Sequence, residues 1–312
     1  MTGGVVTLGE TMGLFSAAES GSRPGSYRLG IGGAESNVAI GVARLGQHAT
    51  WIGRVGNDSV GDLILRELRA EQVDTRAIVD PTARTGLMMK TQPWGDITRV
   101  EYFRADSAGS RLSADDIEPA VIAGAAVVHV SGITLALSNS ARAAVERAVE
   151  LATEAGIPVS FDVNHRARLW SLERARPEYL EIARRARILF AGEDEARLLV
   201  GPGTPEALLG GLAALGPEQV ILKLGARGSM SLIDGEIYRM PAVAITPVDT
   251  VGAGDAFAAG YLAELAAGSA YDDRLTTATR AGAFACLASG DWEGLPRRAE
   301  LELLGAPDPV IR

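Results

Sequence analysis

Short apolar stretches alternate with helix-patterned ones along most of the 312 residues, and this rhythm limits the fold more than any other feature. Val5–Gly9, Thr50–Val55, Ala125–Ser131, Val159–Asp162, Ile188–Ala191 and Val220–Leu224 read as strands. Ser36–Leu45, Val60–Glu71, Ser140–Ala155, Pro177–Ala186, Glu193–Val200, Thr204–Leu215, Ala253–Ala267 and Thr276–Leu287 read as helices. Ala125–Ser131 is an apolar run of the kind that a strand buried on both faces requires. Strand followed by helix, repeated, predicts an α/β fold: a mostly parallel sheet with helices on both faces.

Thr85–Arg104 breaks the rhythm. Gly86–Thr91 and Thr98–Arg104 flank a Pro93-Trp94-Gly95-Asp96 turn and predict a β-hairpin, and Gly25–Leu29 adds a strand to the same unit. The chain is therefore expected to form one domain over 1–312, with a discontinuous β lid drawn from about 10–30 and 85–105. Hydrophobic residues make up 47%, enough for a large core. A formal net charge of −9 argues against nucleic acid or an anionic membrane as partner. The lone cysteine, Cys286, rules out an internal disulfide and a thiolate metal cluster, and points to a reducing cytoplasm. No apolar run reaches the length of a membrane span, and Met1–Thr7 lacks a signal-peptide pattern. His48, His129 and His165 are scattered without metal-ligand spacing.

Asp249-Thr250-Val251-Gly252-Ala253-Gly254-Asp255 opens the Ala-rich helix. Gly252 and Gly254 let the backbone come close to a ligand. The amides of Gly252, Ala253 and Gly254 at a helix start then form an anion hole suited to phosphate. A carboxylate beside such a nest repels phosphate unless it has another task. The task that fits Asp255 is to accept the proton of an attacking hydroxyl. An Asp in a first helical turn can also be a plain cap. Six specified residues in a row, however, arise by chance at only roughly 10⁻⁷ to 10⁻⁸ per position. No Walker-type loop and no clean Gly-x-Gly-x-x-Gly after the first strand compete with this motif.

Asp-Thr-x-Gly-Ala-Gly-Asp resembles the signature of the ribokinase-like (PfkB-type) carbohydrate kinases. Gly32-Gly33-Ala34-Glu35-Ser36-Asn37 and Gly53-Arg54-Val55-Gly56-Asn57-Asp58 extend the resemblance over essentially the whole chain. It implies a three-layer αβα kinase fold with a lid, ATP and Mg²⁺ as cofactors with a monovalent cation left open, and Asp255 as catalytic base. By the same carry-over Gly33 and Asn37 touch the sugar. Lys223, Gly225 and Gly228, at the end of a buried strand, line the nucleotide site, and Asn164 meets the phosphates. Gly282 and Ala283 leave room for adenine. Glu195 helps to place the metal through water, although Gly192 stands where the family carries Asn, with Glu193 beside it as a substitute. Each of these stretches also has a purely structural reading as a turn, a cap or a close helix contact.

Four segments narrow the resemblance to 2-keto-3-deoxygluconate kinases: 32–37, Tyr102–Ser113, Asn164–Trp170 and Gly290–Pro296. This implies a sugar acid, 2-dehydro-3-deoxy-D-gluconate, phosphorylated at its terminal hydroxyl. Tyr102 and Arg104 are two apart on a strand and so face one way. With Arg166 they are expected to hold the acid, since arginine grips a carboxylate with paired hydrogen bonds. Asp291 is expected to meet a hydroxyl. Met88 and Met89 stand where such kinases often carry a substrate-binding Tyr, which leaves epimer preference and substrate open. A fructokinase-, ribokinase- or nucleoside kinase-like activity and a non-catalytic sensor are the alternatives. A small lid sheet with exposed edges predicts a homo-oligomer.

Overall fold

A computed structural model describes residues 3–19, 21, 25–94 and 97–304. In chain order its strands are β1 (Val5–Leu8), β2 (Met12–Ala17), β3 (Tyr27–Gly32), β4 (Ala49–Gly56), β5 (Asp74–Asp80), β6 (Leu87–Trp94), β7 (Ile97–Phe103), β8 (Val127–Ser131), β9 (Val159–Asp162), β10 (Ile188–Gly192), β11 (Gln219–Lys223), β12 (Ser229–Ile233) and β13 (Glu236–Met240). Nine of them form one sheet in the order β13-β12-β11-β10-β9-β8-β1-β4-β5. All neighbours are parallel except β11/β12 and β12/β13. Two separate apolar cores flank this sheet. Helices Asn139–Glu154, Leu172–Arg185 and Pro205–Ala213 bury their apolar stripes in one, and Ala34–Arg44, Ser59–Ala70, Ala253–Ala266 and Tyr271–Ala285 in the other. The result is the three-layer αβα architecture expected from the alternation.

Strand order reverses where β8 meets β1, which opens a crevice at the carboxyl ends of the strands, the place where open α/β sheets bind ligands. Over this edge lies a second sheet, ordered β3-β2-β6-β7, with β2/β6 parallel and the outer pairs antiparallel. Its pleat sends Met12, Leu14, Met88, Lys90, Val100 and Tyr102 toward the crevice. The predicted hairpin turn is partly visible: β6 runs on through Pro93 and Trp94 with a register shift, as a strand proline requires, while Gly95 and Asp96 lie outside the described residues.

Some elements differ from the sequence expectation. The helix expected to begin at Pro177 begins at Leu172 and carries the proline inside. Ala175, Tyr179, Ile182 and Ala183 form one buried face, and that burial outweighs the one backbone bond that a proline forfeits. The last long helix spans Tyr271–Ala285, beginning earlier than Thr276. β5 escapes sequence reading because Asp74–Asp80 is an edge strand without clean alternation. Among the described residues no helix is long and apolar enough to cross a membrane.

Candidate active site

Asp255 sits in the first turn of helix Ala253–Ala266, directly above the crevice. Gly252 precedes the helix in the left-handed region at φ 78°, where a side chain is strained. A Cβ on it would lie 2.2 Å from the carbonyl oxygen of Asp291, so glycine is required on both counts. The Ala256 amide closes the first helical bond to Gly252 O at 2.8 Å, and the Ala253 amide turns back to Thr250 O at 3.4 Å. Of the Gly252–Gly254 amides expected to hold an anion, those of Gly252 and Gly254 have no partner among the described residues, and the Asp255 amide beside them is open as well.

Two amide side chains orient the Asp255 carboxylate. Asn37 Nδ2 donates to one oxygen at 2.9 Å, and Asn164 Nδ2 donates to the other at 3.3 Å. Asn37 also reaches Asp291 Oδ2 at 3.4 Å. Because both partners are acceptors, this face of Asn37 must be its NH₂. The Nδ2 of Asn37 is thus committed to two carboxylates, which makes it a positioning group for Asp255, while its Oδ1 has no partner among the described residues. Asn164 holds its reach from φ 36°, a conformation that asparagine tolerates better than most residues. Burial pushes Asp255 up to about 7, aided by the charges of Asp162 and Asp291 and opposed by the Asn37 hydrogen bond and Arg166. Burial likewise pushes Asp291 up to about 6, against the pull of Lys90.

Two cavities meet at this carboxylate. The first lies under the lid and is lined by Gly33, Met88, Tyr102, Arg104, Arg166 and Asp291 together with Gly252 and Asp255. The second runs along the ends of β9, β10 and β11 and is lined by Asn164, Glu195, Lys223, Gly225 and Gly254, again with Gly252 and Asp255. It is the larger, about 840 Å³ against 70 Å³, and has the room for a nucleotide. Gly32 and Gly33 shape the first cavity. A Cβ on Gly32 would meet Asp291 Oδ2 at 2.2 Å, and one on Gly33 would meet the Glu10 carbonyl at 2.4 Å.

Charges in these cavities are paired in ways the sequence did not disclose. Arg104 lies in the first cavity beside Tyr102, its guanidinium 5.6 Å from the ring, but it is not a free cation. Its Nε donates to the fully buried Glu10 at 2.7 Å and Nη2 follows at 2.5 Å, leaving Nη1 uncommitted among the described residues. Of the two arginines expected to hold the acid, only Arg166 lacks a carboxylate partner among the described residues; it is exposed and lines both cavities. Lys223 binds both oxygens of Asp162, at 2.8 and 2.9 Å. Burial works against its charge, but Asp162 and Glu195 outweigh it and hold the ammonium protonated. Of the two methionines, Met88 faces the lid cavity, and the pleat turns Met89 to the other face.

Three expectations change. A Cβ on Gly228 would strike Met240 O at 2.0 Å, and Gly228 lines neither cavity: its task is the tight β11–β12 turn. Gly282 lies against Ala253 O and Phe257, and Ala283 is buried, so this small pair serves the close approach of two helices. Glu193 is held by Arg197 and Arg227, which takes it out of the role of substitute metal ligand.

Glu195 accepts the Gly192 amide at 2.6 Å and the His165 amide at 2.8 Å, so it caps its helix and keeps one lone pair on each oxygen for water. Among the described residues no three His, Cys, Asp or Glu side chains cluster as a metal cage. The water-facing lone pairs of Glu195 fit Mg²⁺, which keeps its waters and is carried largely by phosphates. Glu195 would be its protein neighbour on the nucleotide side.

Glu10, Lys90 and Asp162 were missed by sequence reasoning. Each is one polar residue at a strand end or in a lid strand, and nothing local marks it. Asp249, the first residue of the motif, gave the one available signal.

Comparison with known proteins gives a consistent result. The sequence pattern of the pfkB family carbohydrate kinases matches residues 3–298. A 2-dehydro-3-deoxygluconokinase of Bacillus subtilis (strain 168) is 35% identical over 308 residues, covering 95% of this chain and 93% of its own. Fructokinase-1 of Zea mays is 32% identical over 310 residues, covering 95% and 96%. A solved E. coli protein provisionally assigned as ribokinase II, in complex with ATP and Mg²⁺, superimposes with a TM-score of 0.90 at 28% identity, covering 97% of this chain and 98% of its own.

Proposed function

This chain belongs to the pfkB family of carbohydrate kinases, and from that premise we propose that it transfers the terminal phosphoryl group of ATP to the terminal hydroxyl of 2-dehydro-3-deoxy-D-gluconate. The observation that carries the reading is the meeting of a lid cavity and a nucleotide-sized cavity at one carboxylate, Asp255. An acceptor hydroxyl in the first and a triphosphate in the second face each other across it. Asp255, with a pKa near the working pH, takes the hydroxyl proton as the oxygen attacks. Asn37 and Asn164 hold the carboxylate so that a lone pair points at that proton. The open amides of Gly252, Gly254 and Asp255 stabilise the phosphoryl group in transit. Lys223 and Gly225 flank the phosphates, and Mg²⁺ bound with ATP neutralises their charge. The lid shuts out water, which protects ATP from hydrolysis. An ATP donor and a single free cysteine suit the cytoplasm.

The acid end of the substrate is assigned to Arg166, to the uncommitted Nη1 of Arg104 and to the Tyr102 hydroxyl, with Asp291 on a sugar hydroxyl. A neutral sugar is the second reading, favoured by the Glu10–Arg104 pair, which cancels one of the two charges. An ADP-release assay with Mg·ATP separates them. With 2-keto-3-deoxygluconate, its galactonate epimer, 2-ketogluconate, fructose, ribose and adenosine as acceptors, the two keto-deoxy acids are expected to lead. Faster turnover of fructose or ribose would leave a kinase but remove the sugar acid.

The outer face of the lid supports a homodimer. Tyr27, Leu29 and Phe103 are 41%, 44% and 59% exposed there, an apolar patch that a second copy covers in a self-complementary pairing. Sedimentation is expected to give a dimer at micromolar concentration and a monomer for Phe103→Glu. A monomeric wild type would remove this assignment.

A further inference from the structure

Lys90 is a buried cation for which the transfer reaction above has no task. It projects from β6 toward the crevice, 6% exposed. It lines the lid cavity and also a separate cavity of about 140 Å³ behind the motif loop, shared with Asp249, Ser289, Gly290 and Glu293. Its ammonium forms an ion pair with Asp249 and donates to the Gly290 carbonyl at 2.9 Å. These two acceptors belong to the two loops that frame the base. Asp249 begins the motif, and its other oxygen accepts the Val251 amide at 3.1 Å. Gly290 precedes Asp291, whose carbonyl oxygen is the atom packed against Gly252.

We propose that Lys90 is a positioning residue: its ammonium is an internal cation that the lid inserts between the two loops, fixing Gly252 and Asp255 in register for phosphoryl transfer. The proposal rests on the kinase reading above. Asp249 and Asp291 are both acidic and lie on facing loops, so without a cation between them the loops repel. In a poorly hydrated site that repulsion is stronger than in water. Because the cation is carried by a lid strand, loop geometry depends on the lid being in place.

Lys90→Met keeps most of the aliphatic stem and removes the charge. It is compared with wild type in ammonium chloride and in tetramethylammonium chloride, both at about 0.1 M so that screening is equal. Two readouts are taken: hydrogen exchange of the amides in 248–254 and 288–293, and kcat against acceptor KM. The variant is expected to exchange faster in both loops and to lose roughly 10² in kcat, as a displaced reacting group does, with a smaller change in KM. Ammonium fits the adjoining cavity and is expected to slow the exchange and restore part of kcat. The bulkier tetramethylammonium is not, and wild type is indifferent to the choice. Loop exchange equal to wild type, or equal in the two salts, would overturn the proposal. If no acceptor is phosphorylated even by wild type, the kinase reading falls, while the exchange comparison still decides the role of Lys90. Should Lys90→Met fail to fold, Lys90→Met combined with Asp249→Asn removes both buried charges and leaves neither orphaned. Repulsion is then absent, but the link from β6 to both loops is still lost, so accelerated loop exchange is the expected result and unchanged exchange the refuting one.

Discussion

Asp255→Asn is expected to fold, to bind ATP and to lose about 10²–10⁴ in kcat, the usual cost of removing a general base. Asparagine keeps the shape: its oxygen accepts from Asn37, and its NH₂ meets Asn164 once that amide turns over, but it cannot take a proton. Wild-type activity should rise with pH through about 7, because burial raises this carboxyl and only its ionised form is a base. The stability consequence has the opposite sign. A carboxyl whose folded pKa lies above its unfolded value of 3.8 supports the fold fully below 3.8, and that support is lost as pH rises through about 7. At pH 8 the wild type therefore holds an ionised carboxylate in a poorly solvated place, and Asp255→Asn should melt higher than wild type. The difference should shrink at pH 5, where the native carboxyl is protonated. Calorimetry at the two pH values, with a pH–rate profile, tests both parts. A variant with near-normal kcat would remove Asp255 as the base, and a melting difference independent of pH would remove the raised pKa.

Gly252→Ala should damage both fold and turnover. The residue sits at φ 78°, which costs a side chain about 1–2 kcal/mol. The added methyl would lie 2.2 Å from Asp291 O, a backbone atom that cannot rotate away. The loop must shift, and with it the helix start that carries Asp255. A displacement near 1 Å is enough to cost about 10² in rate. Gly254→Ala is the control: its methyl would meet only the flexible end of Lys223, at 3.4 Å. That variant should melt like wild type yet bind ATP less well, since Gly254 lines the nucleotide cavity. Equal behaviour of the two variants in melting and in kcat would show that the motif glycines are interchangeable spacers.

Much of this architecture was legible in the residues because the information is local. Strand–helix alternation needs only periodicity, so the αβα layers and the carboxyl-edge crevice follow from it. The run Asp249–Asp255 places an anion-binding helix start and a carboxylate within seven consecutive residues. The lid was partly legible from Thr85–Arg104 and the span 10–30, but β2 was not singled out as a strand, since its parallel partner β6 lies far along the chain and no local pattern records that pairing. Asn37 and Asn164 were found as motif members, yet what they hold could not be read, because Asp255 lies 218 and 91 residues away from them.

The sequence by itself determined the fold class, the helix that carries the base and the glycines around it, because backbone propensity and short-range spacing act over a few residues. Only the tertiary structure decided which charges are free. Arg104 and Lys223 look alike in sequence, as basic residues at strand ends, and both turn out to be matched by buried acids: Glu10 for one and Asp162 for the other. Arg166, basic and just past a strand end in the same way, stays exposed where the two cavities join. The physical reason is that burying a charge is costly unless a partner is buried with it. Such partners are chosen by proximity in space, which no local pattern records.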